Sequence, residues 1–184
     1  MPYAAGTPSL RGRSQAGGVV RERQASQGAR RAREFEAFVA GAAGRLLHAA
    51  TLLTAEPRNA NPRARRLLVQ ALAHTYASWD RLRGEDPYDC ARQQLAVRFA
   101  RSAWHQYGSF GRPRPSPDHV LARLTPQQRL ILVLRLYEGV AEEQTAALLG
   151  LPAERVRTIC ARSMATLLHP PRGPAPAVVE VAPS

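Results

Sequence analysis

The chain has 184 residues, 26 of them basic and 14 acidic, which gives a formal net charge of +12 and an isoelectric point near 11.3. That length can bury a proper core in one ordinary domain or two small ones, and the charge points to an acidic partner. All 26 basic residues are arginine, whose planar donors suit phosphates and guanine edges. Cys90 and Cys160 lie far apart and make neither a disulfide framework nor a metal-ligand spacing. No hydrophobic run is expected to approach spanning length, since even LILVL is bracketed by Arg129 and Arg135, and the amino terminus lacks an apolar signal core. The cytoplasm is the expected compartment.

Residues 1–32 are rich in Gly, Ser, Ala, Gln and Arg and poor in large apolar residues, so they are expected to be disordered. Residues 1–33 hold seven arginines against Glu22, net +6, half of the whole excess. A solvated leader and an electrostatic arm for DNA are both consistent with that. From Glu34 to about Ala55, Phe35, Phe38, Val39, Ala42, Leu46, Ala49 and Leu53 recur three and four residues apart, which predicts a helix ending near Glu56-Pro57.

Asn61 and Pro62 read as the cap and first position of a second helix lined by Leu68, Leu72, Tyr76, Trp79 and Leu82, with Arg63, Arg65 and Arg66 opposite. After a turn at 84–87, a third helix packs through Ala91, Leu95, Phe99 and Ser102. It shows Arg92, Arg98, Arg101, Trp104 and His105 elsewhere. Trp79 fits a core, whereas Trp104, among Arg101, His105 and Tyr107, could stack on unpaired bases. Three prolines and two glycines make 108–118 a linker.

Beyond it, Thr125, Pro126 and Gln128 form a capping-box signature before Leu130, Val133, Leu134 and Tyr137, and Gly139 stops that helix. A short helix, acidic in its first turn, ends on Gly150. The next runs from Pro152 to Leu168, with Val156, Cys160, Met164 and Leu167 on its packing side and Arg155, Arg157, Thr158 and Arg162 at or near the exposed side. Two helices joined by a tight turn through Gly, the second one basic, describe a helix-turn-helix. The same pattern also occurs in bundles whose basic face is only solvated.

The expected fold is therefore all-α. A helical domain at 33–107 and a helix-turn-helix domain at 119–169 are joined by the Pro/Gly linker, with disordered tails at 1–32 and 170–184. The sequence has no Gly-rich phosphate loop, no paired carboxylates in an apolar setting and no His/Cys cluster, and its five histidines are scattered. These features predict a binding protein, with no catalytic residues, metal or cofactor.

The order of segments resembles the extracytoplasmic-function sigma factors of bacterial RNA polymerase, particularly their SigE-like actinobacterial branch. FEAFVAGAAGRLLHAATLLT is similar to the first helix of the family's region-two domain, and LLVQALAHTYASWDRL to its polymerase-binding helix. DPYDCARQQLAVRFARSAWHQY is similar to the promoter-opening helix, and the stretch from Leu121 to Leu168 to region four. The resemblance implies core RNA polymerase, through its β′ clamp and β flap, and promoter DNA as partners, with an anti-sigma protein as a third candidate. It implies that Leu68, Gln70, Leu72, Tyr76 and Trp79 belong to the polymerase-binding helix. Arg98, Arg101, Trp104 and His105, with the loop 81–87, would meet the minus-ten element, and Arg155, Arg157, Thr158 and Arg162 the minus-thirty-five element.

The chain departs from the family where an acidic docking helix is usual. Asn59-Ala60-Asn61-Pro62 is followed by Arg63, Arg65 and Arg66, and then by Gln70-Ala71. Pro152 also replaces a polar cap, and Ile159 a commonly polar residue. Two functions stay open: a sigma factor directing promoter-specific initiation, or a diverged sigma-like regulator that binds DNA or protein without supporting normal initiation.

Overall fold

The structure is a computed structural model that describes residues 12–82, 84–105 and 119–169, with side chains from Arg21 onward except those of Trp104 and His105. The expected linker and the carboxy-terminal tail lie outside the described residues. The helices are α1 (Gly12–Thr54), α2 (Pro62–Ser78), α3 (Pro87–His105), α4 (Pro126–Leu132), α5 (Glu142–Leu149) and α6 (Ala153–Leu168). Short 3₁₀ turns occupy Trp79–Arg81 and Val120–Arg123, and α4 runs on as a π-helical turn, Val133–Tyr137. The described residues contain no strand, so the fold is all-α as expected.

Helix α1 starts well before Glu34. It runs back to Gly12, through residues expected to be disordered. Low apolar content argued against order, but the costly nucleus of this helix is supplied by its packed half, and the Ala-, Gln- and Arg-rich stretch then only propagates it. Arg30 adds an i,i+4 pair to Glu34 at 2.7 Å, while residues 21–30 are all exposed.

The apolar half of α1 is long enough, with a mean hydropathy of 1.3 over its best window, to satisfy the length and composition of a membrane span. A search for unbroken apolar runs misses it, because Arg45 and His48 interrupt the stretch. Leu46, Ala49, Ala50 and Leu53 nevertheless form one stripe buried against α2 and α3, as in the core helix of a bundle.

Helix α2 is capped from a distance. Asn61 occupies the N-cap position but makes no capping bond; its amide donates to Thr51 Oγ1 at 3.0 Å and its oxygen accepts from Arg65 Nε at 3.0 Å. The buried Glu56 carboxylate instead accepts the backbone N–H groups of Arg63 (3.1 Å) and Ala64 (2.8 Å) and the Arg63 Nε (3.1 Å). Burial pushes this carboxyl up, but the Ala64, Arg63 and Thr54 hydrogen bonds outweigh burial and hold it below its ordinary value. The buried face of α2 is Ala64, Leu67, Leu68, Ala71 and Thr75, rotated from the expected stripe. In α3, Ala91, Leu95, Ala96, Phe99 and Ala100 are buried, while Ser102 is exposed, contrary to expectation.

In the second half, local signals operate as expected. Thr125 and Gln128 form the reciprocal capping box, and Gly139 (φ 69°) and Gly150 (φ 64°) take the left-handed turns that only glycine adopts without strain. The two halves share one core, in which Leu46, Leu53, Leu95 and Phe99 are continuous with Leu121, Leu124, Leu130 and Leu134. A smaller cluster, Ile131, Ala146 and Val156, ties α4, α5 and α6 together.

Candidate nucleic-acid interface

Helix α6 divides cleanly. Val156 and Ser163 are wholly buried and Cys160, Met164 and Leu167 half-buried, so the opposite arc is free to face a ligand. Ser163 tolerates burial because its hydroxyl donates to the Ile159 carbonyl at 2.7 Å. Arg155 and Arg162 lie seven residues apart, about two turns, and so stack on one stripe. Both are exposed, and neither has a carboxylate partner among the described residues. Thr158 sits one turn from each, half-buried, with its hydroxyl bonded to the Glu154 carbonyl at 2.9 Å.

Arg157 behaves differently. It lies off that stripe, beside α5, where it pairs with Glu142 at 2.8 Å and Glu154 at 2.7 Å. The Glu142 hydrogen bond, then the Glu142 and Glu154 charges, push its guanidinium above the ordinary value. It would have to leave two carboxylates to reach a phosphate. Of the four α6 candidates the structure therefore brings together Arg155, Thr158 and Arg162.

On α3, Arg101 is exposed and Arg98 half-buried on the same side, one turn apart. The Arg98 Nε is enclosed without a hydrogen-bond acceptor among the described residues. The side chains of Trp104 and His105, also expected there, lie outside the described residues.

The residues expected to dock on a polymerase do not form one free surface. Leu68 is buried in the core, Gln70 is exposed and Leu72 is half-buried. Tyr76 and Trp79 are engaged by α1: Phe35 lies 4.8 Å from Tyr76 and edge-on to Trp79 at 5.2 Å, and Phe38 lies 5.5 Å from Trp79. Arg31 closes the cluster, stacking 4.4 Å over Tyr76, donating to its carbonyl and pairing with Asp80 at 2.9 Å. The exposed face of α2 instead presents Arg65, Arg66, Val69 and Gln70, with Arg58 in the preceding turn. Val69 is 64% exposed; it was not among the expected residues, though it stands out of phase beside Leu67 and Leu68.

Fold and site define a helix-turn-helix protein whose last helix offers a basic face to DNA. Residues 120–169 match the family described as Sigma-70, region 4. The chain is also similar to the RNA polymerase sigma-E factors of Streptomyces coelicolor and Streptomyces avermitilis. Each is 28% identical over 152 residues, covering 73% of this chain and 84% and 83% of those relatives. No solved structure matches the chain. The chain is thus similar to sigma factors of the sigma-E kind, and the family match itself lies in residues 120–169.

Proposed function

We propose that the protein binds core RNA polymerase and directs it to particular promoters in the cytoplasm, without enzymatic activity of its own. The observation that carries this is the pairing of Arg155 and Arg162, exposed and without a carboxylate partner among the described residues, on one stripe of α6 inside the segment that matches region four. In that reading α6 enters the major groove of a minus-thirty-five element, where arginine reads guanine edges and Thr158 adds a shorter contact. Arg101 and Arg98, with Trp104 and His105, meet the minus-ten element, and the α2 region engages the β′ clamp while the second half engages the β flap. An anti-sigma protein is a further partner of this class.

Run-off transcription from a library of genomic fragments, with purified chain and core enzyme, tests the proposal. Transcripts that start at defined sites and vanish with Arg155→Ala/Arg162→Ala are expected; the absence of any transcript contradicts it. One observation favours the alternative, a diverged sigma-like regulator. Arg58, Arg65 and Arg66 make basic a docking face that the family keeps acidic, and like charge on a cationic polymerase surface would weaken binding.

A further inference from the structure

Residues 21–30 of α1 are all exposed and contribute to neither core cluster. The helix is nevertheless held in a fixed direction by the residues just beyond them. Arg31 stacks 4.4 Å over Tyr76 and pairs with Asp80 at 2.9 Å, and Phe35 lies 4.8 Å from Tyr76 and 5.2 Å from Trp79. The stretch from Gly12 to Arg30 is therefore a helical arm, about 28 Å long, rooted on the end of α2.

The chemistry of the arm is that of a surface for polyanions. From Gly12 to Arg33 it carries six arginines against Glu22 alone. At about 100° per residue, Arg23, Arg30 and Arg33 fall within an arc of roughly 80°, on the side turned away from the buried Leu46 and Leu53. Arg23 and Arg33 are exposed and make no ion pair among the described residues. Arg30 pairs with Glu34, but with 77% and 47% of the two side chains exposed that pair opens readily. Arg23 and Arg30 stand about 10.5 Å apart along the axis, close to the rise of three base pairs. Ser26, between them on that face, is small and turns its hydroxyl back to the Arg23 carbonyl at 2.9 Å, so it does not hold the arginines off a row of phosphates.

What the arm lacks decides the kind of polyanion. From Arg21 to Ala32 no apolar residue is larger than alanine, so nothing there sinks into a lipid surface or anchors an acidic protein. The same stretch holds no aromatic ring on which an unpaired base could stack. A regular row of backbone phosphates, as a duplex presents, is what remains.

We infer that residues 12–33 are a preformed helical arm that grips the phosphate backbone of duplex DNA through Arg23, Arg30 and Arg33, without reading its sequence and apart from the α6 face. The grip itself does not depend on the sigma-factor reading. Within that reading, the root of the arm at Trp79–Arg81 adjoins the loop 81–87 expected at the minus-ten element, so the arm holds duplex that flanks this element.

The test is binding of the full-length chain to a random-sequence duplex of about 40 base pairs, followed by fluorescence anisotropy across a salt series with no polymerase present. Arg23→Ala/Arg30→Ala/Arg33→Ala puts in good helix formers, so helical content and melting should match wild type. The slope of log affinity against log salt should flatten by up to about 2.7, and affinity at moderate salt should fall at least about tenfold. The loss should be the same in an Arg155→Ala/Arg162→Ala background, as two separate surfaces require. Ala25→Gly/Ala29→Gly changes no charge but loosens the helix, and should weaken binding by less, about threefold.

An unchanged slope in the triple variant overturns the arm, as does a loss that vanishes once Arg155 and Arg162 are gone. Unchanged affinity in the glycine variant overturns the preformed helix. A triple variant that loses affinity for single-stranded RNA of equal length, but none for the duplex, overturns DNA as the ligand. Core polymerase takes no part in this test, so a chain that fails to bind it loses the sigma-factor reading and keeps the arm.

Discussion

Helices α2 and α6 are both expected to meet partners, and they differ in how much of their polar and aromatic surface is already engaged. In α6 the buried side is satisfied by Val156 and Ser163, and the arginines at 155 and 162 have no carboxylate partner among the described residues. In α2 the first turn is held by Glu56, and Tyr76 and Trp79 complete an aromatic cluster with α1. A residue with no internal task is the better candidate for an external one. By that measure α6 is the stronger candidate for a binding helix, while α2 is first a structural helix with a basic outer face.

The largest effect that would break this contrast is at Trp79. Trp79→Ala should cost about 2–3 kcal/mol of stability, below the range for a wholly buried aromatic because the residue is half-buried. A thermal melt checks it; an unchanged melt with weakened partner binding would return Trp79 to the partner surface.

Next comes Glu56. Glu56→Gln should cost about 1–2 kcal/mol through the lost cap and the Arg63 pair, read by urea titration. Because the folded carboxyl lies below its unfolded value near 4.5, its contribution is full above that pH and is lost as pH falls through the lower folded value. The wild type should therefore lose its advantage over the variant in acid below about 4.5.

Arg155→Ala/Arg162→Ala should leave the melt within about 0.5 kcal/mol of wild type. It should flatten the salt dependence of DNA binding by about 0.9 for each phosphate that is no longer neutralised. The smallest effect sharpens the comparison inside α6. Glu142→Gln loosens the clamp on Arg157 and should steepen the salt slope by up to about 0.9, the equivalent of one further phosphate. No change would mean that Glu154 alone restrains it.

What could be read from the sequence was local. The Thr125/Gln128 box, the glycines at 139 and 150 and the phase of Val156 depend on neighbours within a turn or two, and they stand where the sequence places them. Glu56 could not be recognised as the cap of α2, nor Glu138 and Arg129 as buried, because their partners become visible only when distant segments meet: Tyr88 is 50 residues from Glu138, and Leu53 is 76 from Arg129. The α2 face was misjudged for a related reason. Leu72 and Tyr76 extend an apolar stripe from Leu68, but the small residues Ala64, Ala71 and Thr75 are the most deeply buried, beside Leu67 and Leu68, where α1 and α3 pack on α2. Of the candidate site, Arg155, Thr158 and Arg162 were legible together. The restraint on Arg157 was not, since Glu142 lies on the other helix of the motif.

The central claim is tested most directly by titrating labelled full-length chain with core RNA polymerase at moderate salt, with Arg157→Ala as a control that should not matter. The sigma-factor account predicts saturable binding, equal for both proteins and retained when DNA is absent. Binding to DNA with none to the core enzyme would contradict it and leave the diverged regulator standing.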